Sequence, residues 1–195
     1  MNFPKYELTA LKIEDVVNQA EGLFSEAEEA PKFVMDVVKC LIPNKITIDS
    51  IVHAPSLGVL IVALDSNLTK AEFEAFKLDA SKALELHDGS FFRGLAITLR
   101  PANSVAQGFI DPQNEPYDYA CRYFGPWDGV NEDPATGSAQ CAIGPFWEKL
   151  TGKKELYGYQ AFPGRGAQFQ LQMTEDRVIL TGSSVTVVRG EIVYN

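Results

Sequence analysis

A turn-rich motif followed by a mostly apolar helix constrains this chain more than any other feature. The motif is Asp133-Pro-Ala-Thr-Gly-Ser-Ala139, and the residues after it, 138–150, are predicted to form the helix. A proline and a glycine favour a turn, and Thr136 or Ser138 is a suitable N-cap. The unpaired N–H groups of a first helical turn attract anions, and the Asp133 carboxylate stands beside them. We therefore expect the chemistry of this chain at this corner.

The charge balance argues against several classes of partner. The chain has 17 basic and 26 acidic residues in 195, a net charge of −9, which disfavours nucleic acid or an anionic membrane surface as a partner. No apolar run is long enough to span a membrane, and the first residues lack a signal-peptide core. The three cysteines, Cys40, Cys121 and Cys141, show no paired spacing, which fits buried thiols in a reducing compartment. We therefore predict a cytoplasmic protein.

Short strands dominate the predicted secondary structure. Apolar runs bounded by turn residues predict strands at 46–52, 57–64, 91–99, 104–110, 117–124, 156–162, 167–173, 177–180 and 184–194. The first two flank a turn at 53–56 and should form a β-hairpin. Because helices are inserted singly and no βαβ repeat is visible, the pattern predicts an α+β fold with a mixed or mostly antiparallel sheet.

Three segments outside the motif have helical character. Apolar spacing predicts a helix over 12–24. A second helix, 67–86, begins with Thr69 and Glu72 at capping-box spacing. The apolar run 32–42 fits a helix or a strand equally well.

Several segments together carry a family resemblance. The run Arg122-Tyr-Phe-Gly-Pro-Trp-Asp-Gly-Val-Asn-Glu-Asp-Pro-Ala-Thr-Gly-Ser-Ala139 resembles the signature of the PhzF-like (phenazine biosynthesis-like) family, and 93–99, 159–165 and 182–191 are similar to its flanking strands. The resemblance implies a diaminopimelate epimerase-like fold, in which two similar halves each wrap a mixed sheet around a central helix. The active site lies in the cleft between the halves.

The resemblance covers nearly all of this chain but only the second half of a usual family member. We therefore expect residues 1–10 to be a connecting arm from an absent first half, and residues 11–195 to be a single PhzF-like C-terminal domain. The family chemistry uses side-chain acid and base alone, so no cofactor and no metal is implied.

Roles for individual residues also follow from the resemblance. It implies that Asp133 works in catalysis with a base across the cleft, and capping of the helix is a second role compatible with this one. The substrate-binding residues it implies are Thr136, Gly137, Ser138 and Ala139, with Ser138 on the substrate carboxylate. The Gly164-Arg165 turn either presents a guanidinium to a carboxylate or is a hairpin turn with a solvated arginine, and the sequence favours neither.

The catalytic base of the family has no match. In the family it is a Glu that follows a Ser early in the first half, before a small residue and an apolar strand. Ser25-Glu26-Ala27 imitates this pattern, but more glutamates follow it, so we interpret Glu26 as a solvated residue at a helix end. His53 and His87 lack the preceding residues of the family's Gly-His element, and we expect structural or surface roles for both.

For three other features we prefer a structural role to a functional one. Glu132 beside Asp133 suggests a divalent metal, but neighbouring side chains of an extended loop point apart and no third ligand is evident. Cys121 and Cys141 invite comparison with the thiol pair of true epimerases, although burial in the core suits both better. Trp147 is predicted to lie in the core, and Trp127 is a candidate for the mouth of the cleft.

We therefore expect a PhzF-like isomerase-family protein that moves protons on a small carboxylic acid without a cofactor. Because the half that carries the catalytic Glu is not in this sequence, we expect the activity to be impaired. The alternative is a non-catalytic binding or interaction protein derived from such an enzyme. A domain without its other half exposes an apolar face, so the expected partners are a second copy, in a homodimer, or a complementing N-terminal half.

Overall fold

The structure is a computed structural model that describes residues 1–14, 16, 20, 22–191 and 193. Its strands are β1 (Asn2–Pro4), β2 (Thr9–Lys12), β3 (Ser25–Glu29), β4 (Ile48–Ala54), β5 (Val59–Leu64), β6 (Gly94–Leu99), β7 (Tyr119–Gly125), β8 (Val130–Asp133), β9 (Glu155–Gln160), β10 (Ala167–Met173) and β11 (Arg177–Thr181). Its α-helices are α1 (Phe33–Lys39), α2 (Lys70–Glu74), α3 (Ala80–Leu86), α4 (Ser104–Gln107) and α5 (Gly137–Thr151).

All described strands belong to one mixed sheet. Their order is β1-β11-β10-β9-β7-β6-β5-β4-β2-β3, and β8 pairs with the end of β7. Most neighbours are antiparallel, including the predicted hairpin of β4 and β5. Three pairs are parallel, namely β2 with β3, β5 with β6, and β7 with β9. The predicted α+β class and mixed sheet are confirmed.

Helix α5 is enclosed by one face of this sheet. Its residues from Ala139 to Trp147 are all buried, and they share an apolar cluster with side chains from strands across the sheet. The Trp147 indole donates a hydrogen bond to Thr98 Oγ1 on β6 at 3.0 Å, which confirms its predicted core position. A Cβ at Gly144 would lie 2.6 Å from Leu171 on β10, so the helix lies against the strands as closely as a glycine allows.

Helices α1 to α3 pack against the opposite face of the sheet. Val34 and Val37 of α1, Phe73 of α2 and Ala83 of α3 form a second apolar cluster with β2 and β4 to β7. Thr69 caps α2 in the predicted capping box with Glu72. The sheet therefore separates a single enclosed helix on one side from a layer of short helices on the other.

Two segments near the start of the chain differ from the sequence-based prediction. Lys12 ends β2 and the next residues leave the sheet as coil and turn, so a helix beginning there is wrong; residues 15, 17–19 and 21 of the predicted helix lie outside the described residues. Glu26 is not at a helix end but within strand β3. The predicted helix begins just where β2, paired with both β3 and β4, leaves the sheet.

Three further corrections concern helix and strand ends. The predicted strand 104–110 contains α4, which Asn103 caps by accepting from Ala106 N at 3.0 Å. The predicted helix 67–86 is split into α2 and α3, because Asp79 starts a new helix as its N-cap. The predicted strand 184–194 has no regular structure at 184–191 and 193, and the rest lies outside the described residues.

The predicted connecting arm, residues 1–10, contributes β1 and the start of β2 to the sheet. Lys5, between these strands, forms an ion pair with Glu148 on α5 at 2.7 Å. A preceding first half remains a prediction. In the part of the chain that the structure describes, no helix is long and apolar enough to cross a membrane.

Candidate functional site

The motif forms the connection from β8 to α5. Asp133 is the last residue of β8, and Thr136 is the N-cap residue of α5. The Thr136 side chain does not cap the helix; its hydroxyl donates instead to Asp133 Oδ2 at 2.6 Å. The other Asp133 oxygen accepts only a long bond from Ala135 N at 3.4 Å. The carboxylate is therefore oriented by its own loop. It lies beside the first turn of α5, whose N–H groups receive no hydrogen bond from the Thr136 side chain.

A buried glutamine, Gln160 at the end of β9, holds this loop in place. Its Oε1 accepts from Thr136 N at 2.9 Å, and its Nε2 donates to Asp133 O at 2.6 Å and to Thr136 Oγ1 at 3.0 Å. The side chain is fully buried. The loop conformation at Asp133 and Thr136 therefore depends on one amide from a neighbouring strand.

The same network continues into the core through Gln140 of α5. Gln140 Nε2 donates to Gln160 Oε1 at 3.1 Å, and Gln140 Oε1 accepts from the Tyr119 hydroxyl at 2.6 Å. Both glutamines and Tyr119 are fully buried. Fully satisfied buried networks specify one arrangement of the groups they join. Neither glutamine was predicted as a site residue; the available signal was an amide residue inside a predicted buried helix and another in a predicted strand.

Glu132 faces away from Asp133 and has a separate role. Its carboxylate accepts two hydrogen bonds from Arg122, at 2.7 and 3.0 Å. Arg122 Nη1 also donates to the main-chain carbonyls of Phe73, Glu74 and Phe76 at 3.1, 3.1 and 2.7 Å. No cluster of three potential metal ligands occurs among the described residues. The adjacent carboxylates are thus divided between an ion pair and the motif loop.

The remaining predicted substrate-binding residues are in two places, the first turn of α5 (Gly137 to Ala139) and the turn at Gly164 and Arg165. Ser138 is exposed, Gly137 is half-buried and Ala139 is buried. Exposed Gly164 and Arg165 line a depression of about 890 Å³ that Pro134 and Ala135 of the motif also line. Gly164 has a φ of +93°, a left-handed conformation suited to glycine. The structure brings the arginine turn and two residues of the motif, Pro134 and Ala135, to one depression.

The cysteines near the motif are core residues, as expected. Cys121 and Cys141 are both buried. Burial raises the pKa of the Cys121 thiol to about 12 and that of Cys141 to about 11. Neither group is a thiolate near neutral pH, and thiol nucleophiles and bases act as thiolates.

The two histidines belong to an aromatic cluster in the outer layer. His53 lies inside β4, rather than in the predicted turn, and stacks on Phe91 at 4.3 Å. Its Nε2 makes no hydrogen bond in the described part of the protein, and burial lowers the pKa of its imidazole. His87 stacks on Phe33 at 4.5 Å, and its carbonyl accepts from Trp127 Nε1 at 2.8 Å. Both rings are buried, so their contacts are those of structural residues.

The chain is similar to known proteins in sequence and in fold. The sequence profile of the phenazine biosynthesis-like protein family matches residues 59–190. The human phenazine biosynthesis-like domain-containing protein is 29% identical over 187 residues, which are 95% of this chain and 62% of that protein. An uncharacterized isomerase of Halalkalibacterium halodurans is 47% identical over 76 residues, 39% of this chain and 28% of that protein. The chain thus spans less than two thirds of these relatives.

A solved structure extends the likeness to the whole chain. The crystal structure of a putative phenazine biosynthesis PhzC/PhzF protein from Clostridium difficile superposes with a TM-score of 0.66 at 21% identity, over 100% of this chain and 57% of that one. This similarity shows a shared fold, in agreement with the diaminopimelate epimerase-like arrangement of one sheet around α5. Since the family profile covers most of the sequence, including the motif at 133–139, the chain belongs to the phenazine biosynthesis-like (PhzC/PhzF) family.

Proposed function

We propose that this chain supplies one wall of an isomerase-type site, which moves a proton on a small carboxylic acid without a cofactor. The observation that carries the proposal is the Asp133 carboxylate, held by Thr136 beside the first turn of α5. Relatives in Halalkalibacterium halodurans and Pseudomonas aeruginosa bear the name isomerase. We also propose a cytoplasmic location, which the free thiols of Cys40, Cys121 and Cys141 support.

In this proposal the first turn of α5 binds the substrate carboxylate. Residues Gly137 to Ala139 offer main-chain N–H groups at the positive end of the helix dipole, a preferred site for anions. The exposed Ser138 hydroxyl can donate a further hydrogen bond. Arg165, across the depression shared with the motif, can pair with a second acidic group of the substrate. The substrate is thus held by charge at its acidic end.

Asp133 is proposed to carry the proton. An isomerisation of this type removes a proton from carbon at one side and returns one at another position, so the composition of the substrate is unchanged. It needs one group to accept and one to donate, each within hydrogen-bond reach. Asp133 supplies one of them. Glu132 is committed to Arg122 and the histidines are packed among aromatic rings, so the second group must come from outside these residues.

Replacement of Ser138 tests the binding wall. Ser138→Ala should weaken the binding of a small carboxylic acid about tenfold or more, because a hydrogen bond to a charged group is worth roughly 1.5–3 kcal/mol. Ligand-observed NMR with a panel of small carboxylic acids measures this, and Ser56→Ala, in an exposed turn, is the matched control. Unchanged affinity would remove Ser138 from the site. Loss of folding in Ser138→Ala would mean that the hydroxyl is structural.

Deuterium incorporation from D₂O into the carbon skeleton of those acids tests the proton transfer. We expect incorporation when a complementing half is present and none when Asp133→Asn replaces the wild-type chain, because the amide cannot exchange a proton in the same way. Incorporation that Asp133→Asn leaves unchanged would exclude Asp133 as the proton carrier.

The second candidate function is a non-catalytic binding or interaction protein. It is favoured because Asp133 is the one carboxylate of residues 132 and 133 that has no described ion pair, since Glu132 is paired with Arg122. The two functions differ in one result, which is carboxylate binding without deuterium incorporation in any assembly. The proposed partners are a second copy, in a homodimer, and a complementing N-terminal half.

A further inference from the structure

Tyr123 on β7 projects from the same face of the sheet as Asp133. The two residues are paired directly in the antiparallel ladder of β7 and β8. Residues paired in this way share a face of the sheet, with their Cβ atoms roughly 5 Å apart. The tyrosine ring packs against the apolar cluster that encloses α5. Tyr123 is therefore a close neighbour of the motif, on the side of the sheet where α5 lies.

The Tyr123 hydroxyl is open to solvent and forms no hydrogen bond within the described part of the protein. The side chain is half-buried, and the one buried side-chain nitrogen or oxygen atom without a partner among the described residues is His53 Nε2. The Tyr123 oxygen is thus unpaired at the surface and not inside the core. Three other tyrosine hydroxyls, of Tyr119, Tyr157 and Tyr159, instead donate to Gln140, Asp111 and Glu74.

A glycine makes room for this hydroxyl. The ring of Tyr123 leans over Gly94 at the start of β6, where a Cβ would overlap both the phenol oxygen and its ring carbon. Only glycine at this position therefore leaves space for the ring in this orientation. Strands β6 and β8 flank β7 on its two sides, so the strands that carry Gly94 and Asp133 are about 10 Å apart. The hydroxyl and the carboxylate thus border a stretch of surface that a small ligand can span.

The surroundings of the phenol keep it protonated. Burial raises the pKa of Tyr123, the carboxylates of Asp128 and Asp133 raise it further, and the guanidinium of Arg93 opposes them with a smaller effect. The phenol is therefore neutral near pH 7, and its O–H is available as a hydrogen-bond donor. The effect of Asp133 also means that the field of its carboxylate reaches the phenol.

We propose that Tyr123 is a substrate-binding residue, whose hydroxyl donates a hydrogen bond to a substrate oxygen other than those of the carboxylate held by the first turn of α5. This inference rests on the proposed function and narrows its substrate class. The substrate is a carboxylic acid with a further oxygen acceptor on its carbon skeleton, because the phenol has nothing to bind on an unsubstituted chain. Held at both ends, the carbon between them stays beside Asp133.

Oxo acids, each compared with the unsubstituted acid of the same chain length, test this donor by ligand-observed NMR. At the best-fitting length the wild-type chain should bind the oxo acid about fivefold more tightly, the ratio expected for one hydrogen bond. Tyr123→Phe keeps the ring and should remove this preference, while the unsubstituted acid binds as before. Gly94→Ala keeps the hydroxyl but displaces it, and should remove the preference as well. Tyr6→Phe, in a depression lined by Glu148 and Lys149 of the last turn of α5, is the matched control.

Titration of the Tyr123 phenol by NMR tests the geometry without a ligand. Asp133→Asn removes a nearby carboxylate and should lower the pKa of Tyr123, whereas Asp176→Asn, at an exposed position, should leave it unchanged. An unchanged pKa in Asp133→Asn would overturn the proposal, as would a preference for oxo acids that Tyr123→Phe retains.

Two binding results separate this inference from the function on which it rests. Equal binding of both kinds of acid by the wild-type chain, with shifts at the first turn of α5, would overturn the role of Tyr123 alone. Binding of neither kind would overturn the proposed function, and the role of Tyr123 with it.

Discussion

The motif loop and the segment that follows β11, residues 182–191 and 193 (the tail), border the same depression, yet they differ in how they are held. The loop is held by the buried Gln160, whose amide accepts a hydrogen bond from Thr136 N and donates one to the Asp133 carbonyl. The tail has no such contacts, and its valines face solvent. The loop is therefore a preorganised wall, whereas the tail is a segment whose apolar side chains have no described contacts.

Removal of Arg122 should destabilise the protein most. Arg122→Met should lower the free energy of unfolding by roughly 3–5 kcal/mol, because it leaves the partly buried Glu132 carboxylate unpaired and three carbonyls without their donor. Urea unfolding measures the change. Arg93→Met is the control, since its ion pair with Asp128 is exposed and should be worth under about 1 kcal/mol. Equal losses of unfolding free energy in the two variants would show that the Arg122–Glu132 pair contributes no more than an exposed ion pair.

Replacement of Gln160 should loosen the wall specifically. Gln160→Leu should cost about 2–4 kcal/mol, because Thr136 N and the Gln140 amide lose a buried acceptor. Urea unfolding is again the measurement, and Gln170→Leu on the exposed face of β10 is the matched control. A cost no greater than that of Gln170→Leu would mean that the loop does not depend on this network.

Thiol labelling of the wild-type protein compares the core behind the motif with the protein surface. Cys40 is partly exposed, whereas Cys121 and Cys141 are buried and their pKa values are raised to about 12 and about 11. At pH 8 both buried thiols are therefore protonated and shielded from a labelling reagent, and a thiol reacts with it as the thiolate. Iodoacetamide should therefore modify Cys40 alone in the native protein, as mass spectrometry of peptides would show. Rapid modification of Cys121 would contradict a closed core behind the motif.

Removal of the tail should have the smallest effect. A chain that ends at Thr181 should unfold with a free energy within about 0.5 kcal/mol of the full chain, because the lost side chains are exposed and make no described contacts. Parallel urea titrations measure the difference. A loss comparable to that of Gln160→Leu would show that the tail is part of the fold of the lone chain.

Local signals in the sequence predicted the elements whose boundaries depend on local chemistry. The capping box of Thr69 and Glu72, the hairpin of β4 and β5 and the apolar helix α5 are all confirmed. The predicted strand 104–110 failed because the N-cap Asn103 and the left-handed Gly108 fix a short helix. Long-range pairing decided the region around Lys12, where β2 is recruited between β3 and β4.

In the candidate site, too, local residues could be predicted from the sequence and residues brought in by long-range pairing could not. The motif residues Asp133 to Ala139 were recognisable because they are contiguous. Gln160 and Gln140 were not, since their roles arise only when β9 pairs with β7 and places them at the base of the loop. The commitment of Glu132 to Arg122 likewise depends on three carbonyls of residues about 50 positions earlier.

Amide chemical shifts recorded while a small carboxylic acid is added test the preorganised wall most directly. The main-chain N–H signals of Gly137, Ser138 and Ala139 should shift saturably in the lone chain, the Ser138→Ala variant should need about tenfold more ligand, and the signals of residues 184–191 should stay unchanged. Signals of the first turn of α5 that do not move with any acid of the panel, in a folded protein, would contradict an anion-binding wall at Asp133.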